Sequence, residues 1–178
     1  MQISTPLKLL ISPLPSQQGH NLPLTVFTGQ TKVAPYVGIL RERNLLALGL
    51  VGPHFSEDSV RQDLCSRPAW RQATFQEEKR NIKEIEALEL WGTPFQIKVW
   101  ETLYNLPRHQ TITYKEVAYQ AGYPTAFQAI GQAISRNPIS LLIPCHLVVK
   151  KSGEIGDYYW GKSLKEELLK RPSLENFL

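Results

Sequence analysis

Cys145-His146 is the pair of adjacent side chains best suited to covalent chemistry in this chain. A thiol becomes a nucleophile only on losing its proton, and a neighbouring imidazole can accept that proton or stabilise the thiolate. Neighbours in sequence need not face each other in space, so on these two residues alone a buried structural cysteine is the simpler reading. Cys145 ends an apolar run, Ile139 to Pro144, broken only by Ser140. The other cysteine, Cys65, is expected only to pack. His20 and His54 stand alone and read as loop or surface positions, and no His, Cys, Asp or Glu grouping has metal-ligand spacing. Neither a metal nor a cofactor is expected.

The elements that must position Cys145 are sharply punctuated. Thr93-Pro94-Phe95-Gln96 is a capping box with Pro at the first helical position, and Phe95, Val99, Leu103 and Leu106 follow at helical spacing up to Pro107. Thr113-Tyr114-Lys115-Glu116 opens a second helix that ends at Gly122. Thr125-Ala126-Phe127-Gln128 reads as a third box, opening a helix to about Arg136 before Asn137-Pro138. Two short helices around Gly122-Tyr123-Pro124 make a helix-turn-helix. The second carries the small residues Ala126, Ala129, Gly131 and Ala133, which permit either tight helix packing or close approach to another surface. Val148-Val149, a Lys150-Lys151-Ser152-Gly153 turn and Ile155 then resemble the wing of a winged helix. Ser163 and Glu166 read as a fourth box for a helix through Arg171, stopped by Pro172.

The first half is richer in strands. Leu24 to Thr28, Tyr36 to Leu40 and Leu45 to Val51 are β-prone, the last two joined by the polar turn Arg41 to Asn44 as a hairpin. Gly52-Pro53 closes it, Ser56 to Leu64 suits a short helix, and Ile85 to Trp91 a last strand. The expected fold class is therefore mixed α/β. A chain of 178 residues with 42% hydrophobic and 20% charged residues is neither disordered nor fibrous. No apolar run reaches the roughly 18 residues of a membrane span, and the first twelve residues lack the features of a secretory leader. An intracellular protein, not attached to membrane, is expected. The formal charge of +4 is concentrated: Thr102 to Gly153 holds Arg108, Lys115, Arg136, Lys150 and Lys151 against Glu116 alone. Such a segment favours a polyanion such as nucleic acid, and a solvated face is the plain alternative.

The string Asn137-Pro138-Ile139-Ser140-Leu141-Leu142-Ile143-Pro144-Cys145-His146-Leu147-Val148-Val149, with Gly153, Gly156, Tyr158, Gly161, Lys165, Leu168 and Leu169 beyond it, resembles the signature of the O6-alkylguanine-DNA alkyltransferases. The resemblance extends upstream through Gly92 to Gln96, Val99-Trp100, Leu106-Pro107, Thr111, Thr113-Tyr114, Ala118, Ala121-Gly122 and Gly131. It covers most of residues 90–171 and is only general over 1–89. It implies a ribonuclease-H-like mixed-sheet domain (1–89) followed by a winged helix-turn-helix DNA-binding domain with the active-site cysteine (90–178).

The same resemblance implies a DNA repair protein that moves a methyl or other alkyl group from O6 of guanine, with O4 of thymine as a second lesion, irreversibly onto its own cysteine. Cys145 would be the acceptor, His146 its general base through a bound water, and Asn137 the tie between recognition helix and active-site turn. Tyr114 would crowd a phosphate and donate to the flipped base, and Lys165 belongs to the same centre. Val148, Ile155, Tyr158, Tyr159 and Trp160 would form the base pocket. Gln96, Tyr114, Lys115, Tyr123, Ala126, Gln128, Ala129, Gly131, Arg136, Lys150 and Lys151 would meet the minor groove of double-stranded DNA, without sequence preference. The implied protein is a monomer of the cytoplasm and nucleoid, or of a eukaryotic nucleus, and uses no cofactor.

Departures from the pattern set further expectations. Gln128 stands where the family has an intercalating arginine, which implies weaker or lesion-dependent flipping, with Gln128 held in its own capping box. Pro172 replaces a glutamate that would orient His146, and Glu175 is the substitute at hand. Leu147 replaces an arginine. Trp160 is expected to narrow the pocket in favour of methyl. A lesion-binding protein that flips alkylated bases without repairing them is the alternative function.

Overall fold

A computed structural model describes residues 7–12 and 22–171. The first half builds one six-stranded mixed sheet from Lys8–Ile11 (β1), Leu22–Gln30 (β2), Pro35–Arg41 (β3), Asn44–Leu50 (β4), Ala73–Glu77 (β5) and Ala87–Leu90 (β6), in the order β1-β6-β4-β3-β2-β5. The expected hairpin is β3 and β4, joined through Glu42 at a φ of 58°. β1 pairs parallel with β6 and β5 parallel with β2; neither edge strand was expected. Helix α1 (Glu57–Cys65) starts where the sequence places it, with Ser56 and Ser59 forming a reciprocal capping box.

In the second half, Thr93 and Gln96 cap α2 (Pro94–Tyr104), and Thr113 and Glu116 cap α3 (Tyr114–Gln120), both as reciprocal boxes. Gly122, at a φ of 84°, turns the chain toward α4 (Phe127–Ser135). Short strands Ile112–Thr113 (β7) and Val148–Val149 (β8) pair in parallel, and α5 (Lys162–Leu169) closes the described chain. Among the described residues no helix is long and apolar enough to cross a membrane.

Three local expectations are corrected. Thr125 does not cap α4: the Ala126 N–H is drawn to the Tyr123 carbonyl at 3.0 Å, so Thr125 lies within a tight turn and Ala126 becomes the cap, without a side-chain bond. Gln128 is accordingly not held in a capping box. Ser163 does not cap α5, because Gly161, at a φ of 110°, is the cap and places Ser163 inside the first turn. The expected wing hairpin forms only one strand. Its first arm is β8, but Gly153 and Gly156 at φ of 83° and 71° bend the return, which keeps one hairpin-like bond, Lys150 N–H to Glu154 carbonyl at 2.9 Å. The expectations on His20, Pro172 and Glu175 fall outside the described residues.

A single hydrophobic cluster runs through both halves. β4 meets β6 only at Asn44 and Leu45, and further along its length it accepts the chain from the second half. Leu48 N–H donates to the Pro138 carbonyl and its own carbonyl accepts from Ser140 N–H, each at 2.9 Å, making a parallel bridge to Ile139. Ile139, Leu141, Leu142 and Ile143 are at most 2% exposed. Burying each such side chain contributes about 1.5–3 kcal/mol, so the run that leads to Cys145 is firmly anchored. Gly52 completes the seam, since a Cβ there would lie 1.7 Å from the Trp160 carbonyl oxygen.

Candidate active site

Cys145 opens a short 3-10 turn, Cys145–Leu147, directly after the buried run. Its side chain borders a cavity of about 970 Å³ that extends between the two halves. Four polar side chains gather at that wall: Tyr114 from α3, Asn137 after α4, Tyr158 from the loop before α5, and Lys165 from α5. Asn137 donates from Nδ2 to the Ile143 carbonyl at 2.8 Å and accepts the Ile139 N–H at 3.1 Å, and it also reaches the thiol. It therefore braces both ends of the buried run from the end of α4. Lys165, 1% exposed, donates from Nζ to the carbonyls of Val148 (2.6 Å) and Asp157 (3.4 Å). Trp160 Nε1 donates to Ser140 Oγ at 2.6 Å, and the ring lies edge-on to Phe55.

The electrostatics follow from burial. Desolvation pushes the Cys145 thiol up, and the nearby polar groups of Asn137 and Tyr158 with the charge of Lys165 offset this only in part. Burial, aided by the charges of Arg108 and Lys165, pushes His146 down to about 3. At neutral pH the pair is thus a protonated thiol and a neutral imidazole, not a preformed thiolate-imidazolium. Burial raises both Tyr114 and Tyr158, the latter strongly, with the nearby thiol adding to each, so both phenols keep their protons and can donate. Lys165 is lowered by burial, against the pull of Cys145 and Asp157.

Gln96, Gly131, Arg136, Tyr159 and Trp160 also line the cavity. Tyr159 reaches across the seam, donating to Asp63 Oδ1 at 2.6 Å. Val148 contributes its carbonyl to Lys165 while its side chain is buried, and Ile155 lies on the return from the basic turn, away from the cavity lining. The outer face of α3 and α4 carries Lys115, Gln128 and Ala129 exposed, with Ala126 and Tyr123 half-buried. A Cβ on Gly131 would meet nothing within 4 Å, whereas Ala133 is core. The small residues thus divide between packing and open surface. Lys150 and Lys151 are exposed on the turn, with Lys150 3.4 Å from Glu154.

Sequence reasoning did not single out three contributors. Arg108, counted with the basic segment, turns inward and donates to the Leu141 and Leu142 carbonyls at 2.9 and 2.6 Å. Ser140 holds Trp160, and Asp63 holds Tyr159. Only the apolar context of Ser140 was a visible signal.

Residues 94–173 match the family model described as 6-O-methylguanine DNA methyltransferase, DNA binding domain. This matched segment, somewhat less than half of the chain, is what is similar to the O6-methylguanine DNA methyltransferase family. Among curated relatives, methylated-DNA--protein-cysteine methyltransferase of Methanosarcina barkeri is 41% identical over 105 residues, covering 57% of this chain and 66% of the relative. The protein of the same name from Candida albicans is 45% identical over 92 residues, covering 52% and 51%. The chain thus spans less than two thirds of the length of these relatives. The crystal structure of Mycobacterium tuberculosis O6-methylguanine methyltransferase is similar in fold across both halves. Its TM-score is 0.66 at 27% identity, covering 86% of this chain and 93% of that one.

Proposed function

We propose that this protein is a single-use DNA repair transferase, a methylated-DNA--protein-cysteine methyltransferase, which moves an alkyl group from O6 of guanine, or O4 of thymine, to Cys145. The observation that carries the reading is the Cys145 side chain at the wall of a cavity it shares with Tyr114, Asn137, Tyr158 and Lys165. In this reading residues 1–89 are a ribonuclease-H-like domain and residues 90–178 a winged helix-turn-helix domain on double-stranded DNA. The protein acts as a monomer in the cytoplasm or nucleoid, or in a nucleus.

The start of α4, with half-buried Ala126, exposed Gln128 and Ala129 and the open space at Gly131, enters the minor groove. Lys115, Arg136, Lys150 and Lys151 meet phosphates. The lesion must leave the stack, because the thiol is recessed and O6 is out of reach in a duplex. Tyr114 aids that extrusion and its phenol donates to the flipped base. Sγ then attacks the alkyl carbon: the S–C bond forms, the C–O6 bond breaks, and its electron pair stays on the base. His146, neutral at working pH, accepts the thiol proton, and that proton finally resides on the released guanine, so atoms and charge balance. The thioether is permanent, and each molecule reacts once.

The test is to mix the protein with duplex DNA bearing O6-methylguanine and weigh the Cys145 peptide by mass spectrometry. One added methyl, absent from Cys145→Ala, is the expected result. Lesion binding with an unmodified Cys145 peptide would establish a non-catalytic sensor instead.

A further inference from the structure

Arg108 is the charged side chain whose placement the proposed reaction leaves unexplained. It follows α2, and its guanidinium is turned inward, each terminal nitrogen donating to one carbonyl of the run before Cys145: Nη1 to Leu141 at 2.9 Å and Nη2 to Leu142 at 2.6 Å. Among the described residues no carboxylate lies within ion-pair distance of it. A partly buried cation without a carboxylate is costly, and its two backbone acceptors are its compensation. The acceptors are unusual as well. Leu141 is fully buried and holds a φ of 70°, a left-handed conformation that a branched, bulky residue adopts only under constraint. Two parallel N–H···O bonds from one rigid fork supply such a constraint.

We propose that Arg108 is a positioning residue for the Cys145 chemistry: its guanidinium pins the left-handed turn at Leu141–Leu142 that leads into the thiol, and it holds a fixed positive charge on that side of the site. The inference rests on reading His146 as the proton acceptor for Cys145. A cation held nearby disfavours a positive charge on the imidazole, so the protonation of His146 reports where the Arg108 charge sits. Besides burial, two cations bear on His146, Arg108 beyond α2 and Lys165 from α5, and Cys145 precedes it in the same turn; the charge of Arg108 is itself felt by Tyr104 of α2. Lys165 is committed to Val148 and Asp157. Arg108 is the other cation, and of the two it is the one bonded to the Leu141–Leu142 turn.

The experiment uses the full chain as wild type, Arg108→Lys and Arg108→Gln. Imidazole NMR follows His146 from pH 8 to pH 4, and mass spectrometry gives the rate of methyl transfer from O6-methylguanine DNA to Cys145. In wild type the His146 resonances stay those of a neutral ring down to pH 5; a midpoint near the ordinary value of about 6.5 overturns the proposal without any variant. Arg108→Gln raises the midpoint by about one pH unit, and Arg108→Lys, which keeps the charge, does not. Transfer slows about tenfold or more in Arg108→Gln and is partly restored in Arg108→Lys. Equal behaviour of the two variants in both readouts, or transfer at the wild-type rate in Arg108→Gln, overturns the proposal. Absence of transfer in wild type with the NMR shifts as stated would instead remove the alkyltransferase reading and leave the charge relationship standing.

Discussion

Lys165, in the first turn of α5, donates its ammonium to the carbonyl of Val148 at 2.6 Å, so the helix that follows the reactive turn clamps the strand that leaves it. Its positive charge also draws the Cys145 thiol downward against desolvation. Replacing Lys165 by Met removes both effects. An unsatisfied buried carbonyl costs about 1–3 kcal/mol, which urea unfolding will read as a lower midpoint. The Cys145 thiol will at the same time become less acidic.

Thiol acidity gives a direct pH prediction. Because burial holds Cys145 above the usual thiol range, its thiolate fraction at pH 7.5 is below that of a free cysteine. In a Cys65→Ser background, alkylation by iodoacetamide will be slower than for glutathione at pH 7.5 and will still be rising at pH 9. A rate that levels off below pH 8 would show a preformed thiolate.

His146 leaves a signature in stability. The unfolded imidazole binds a proton near pH 6.5 and the folded one only near 3. Between those values the unfolded state holds the extra proton, so stability rises with pH and is flat above about 6.5. Wild type will lose up to about 1.4 kcal/mol per pH unit more than His146→Gln as pH falls from 6 to 4. Urea midpoints compared across that range check it.

On DNA, the two lysines of the basic turn are not equivalent. Removing a lysine that neutralises one phosphate lowers the slope of log K against log salt by about 0.9. Lys151→Ala will show that full decrement, and Lys150→Ala a smaller one because Lys150 already neighbours Glu154 at 3.4 Å. An unchanged slope in the double variant would mean that the turn does not touch phosphate.

Two glycines will respond in opposite directions to one added methyl. Gly131 lies inside α4 with open space around its missing Cβ, so Gly131→Ala stabilises the free protein by about 0.5–1 kcal/mol. The same change should weaken DNA binding by spoiling close approach. Gly52→Ala drives a carbon into the Trp160 carbonyl and will destabilise by about 1–3 kcal/mol. Thermal melts and a binding titration separate the two.

What was legible in the sequence was whatever short-range chemistry dictates. The β3–β4 hairpin, α1 and the reciprocal boxes at Thr93 and Thr113 follow from turn residues and caps within a few positions. β1 and β5 were invisible because each is a short strand paired in parallel with a distant partner, leaving no hairpin signal between the paired segments. The capping patterns at Thr125 and Ser163 misled because the pattern cannot tell which residue leaves the helical conformation first, and backbone at Ala126 and Gly161 decided that. At the site, Cys145, Asn137, Tyr114, Tyr158 and Lys165 do converge on one cavity wall. Arg108 was read as surface charge since nothing local shows that a guanidinium will turn inward to two carbonyls 33 and 34 positions away.

The hydrogen bonds that Leu48 exchanges with Pro138 and Ser140 make the segment preceding the thiol a guest strand in the first half's sheet. The second half is therefore not a portable module. Excised on its own, it would expose Ile139 and lose the surface that supports the Cys145 turn. Grafting it onto another scaffold would require a sheet that offers the same vacant edge, in the same register, beside a residue as small as Gly52.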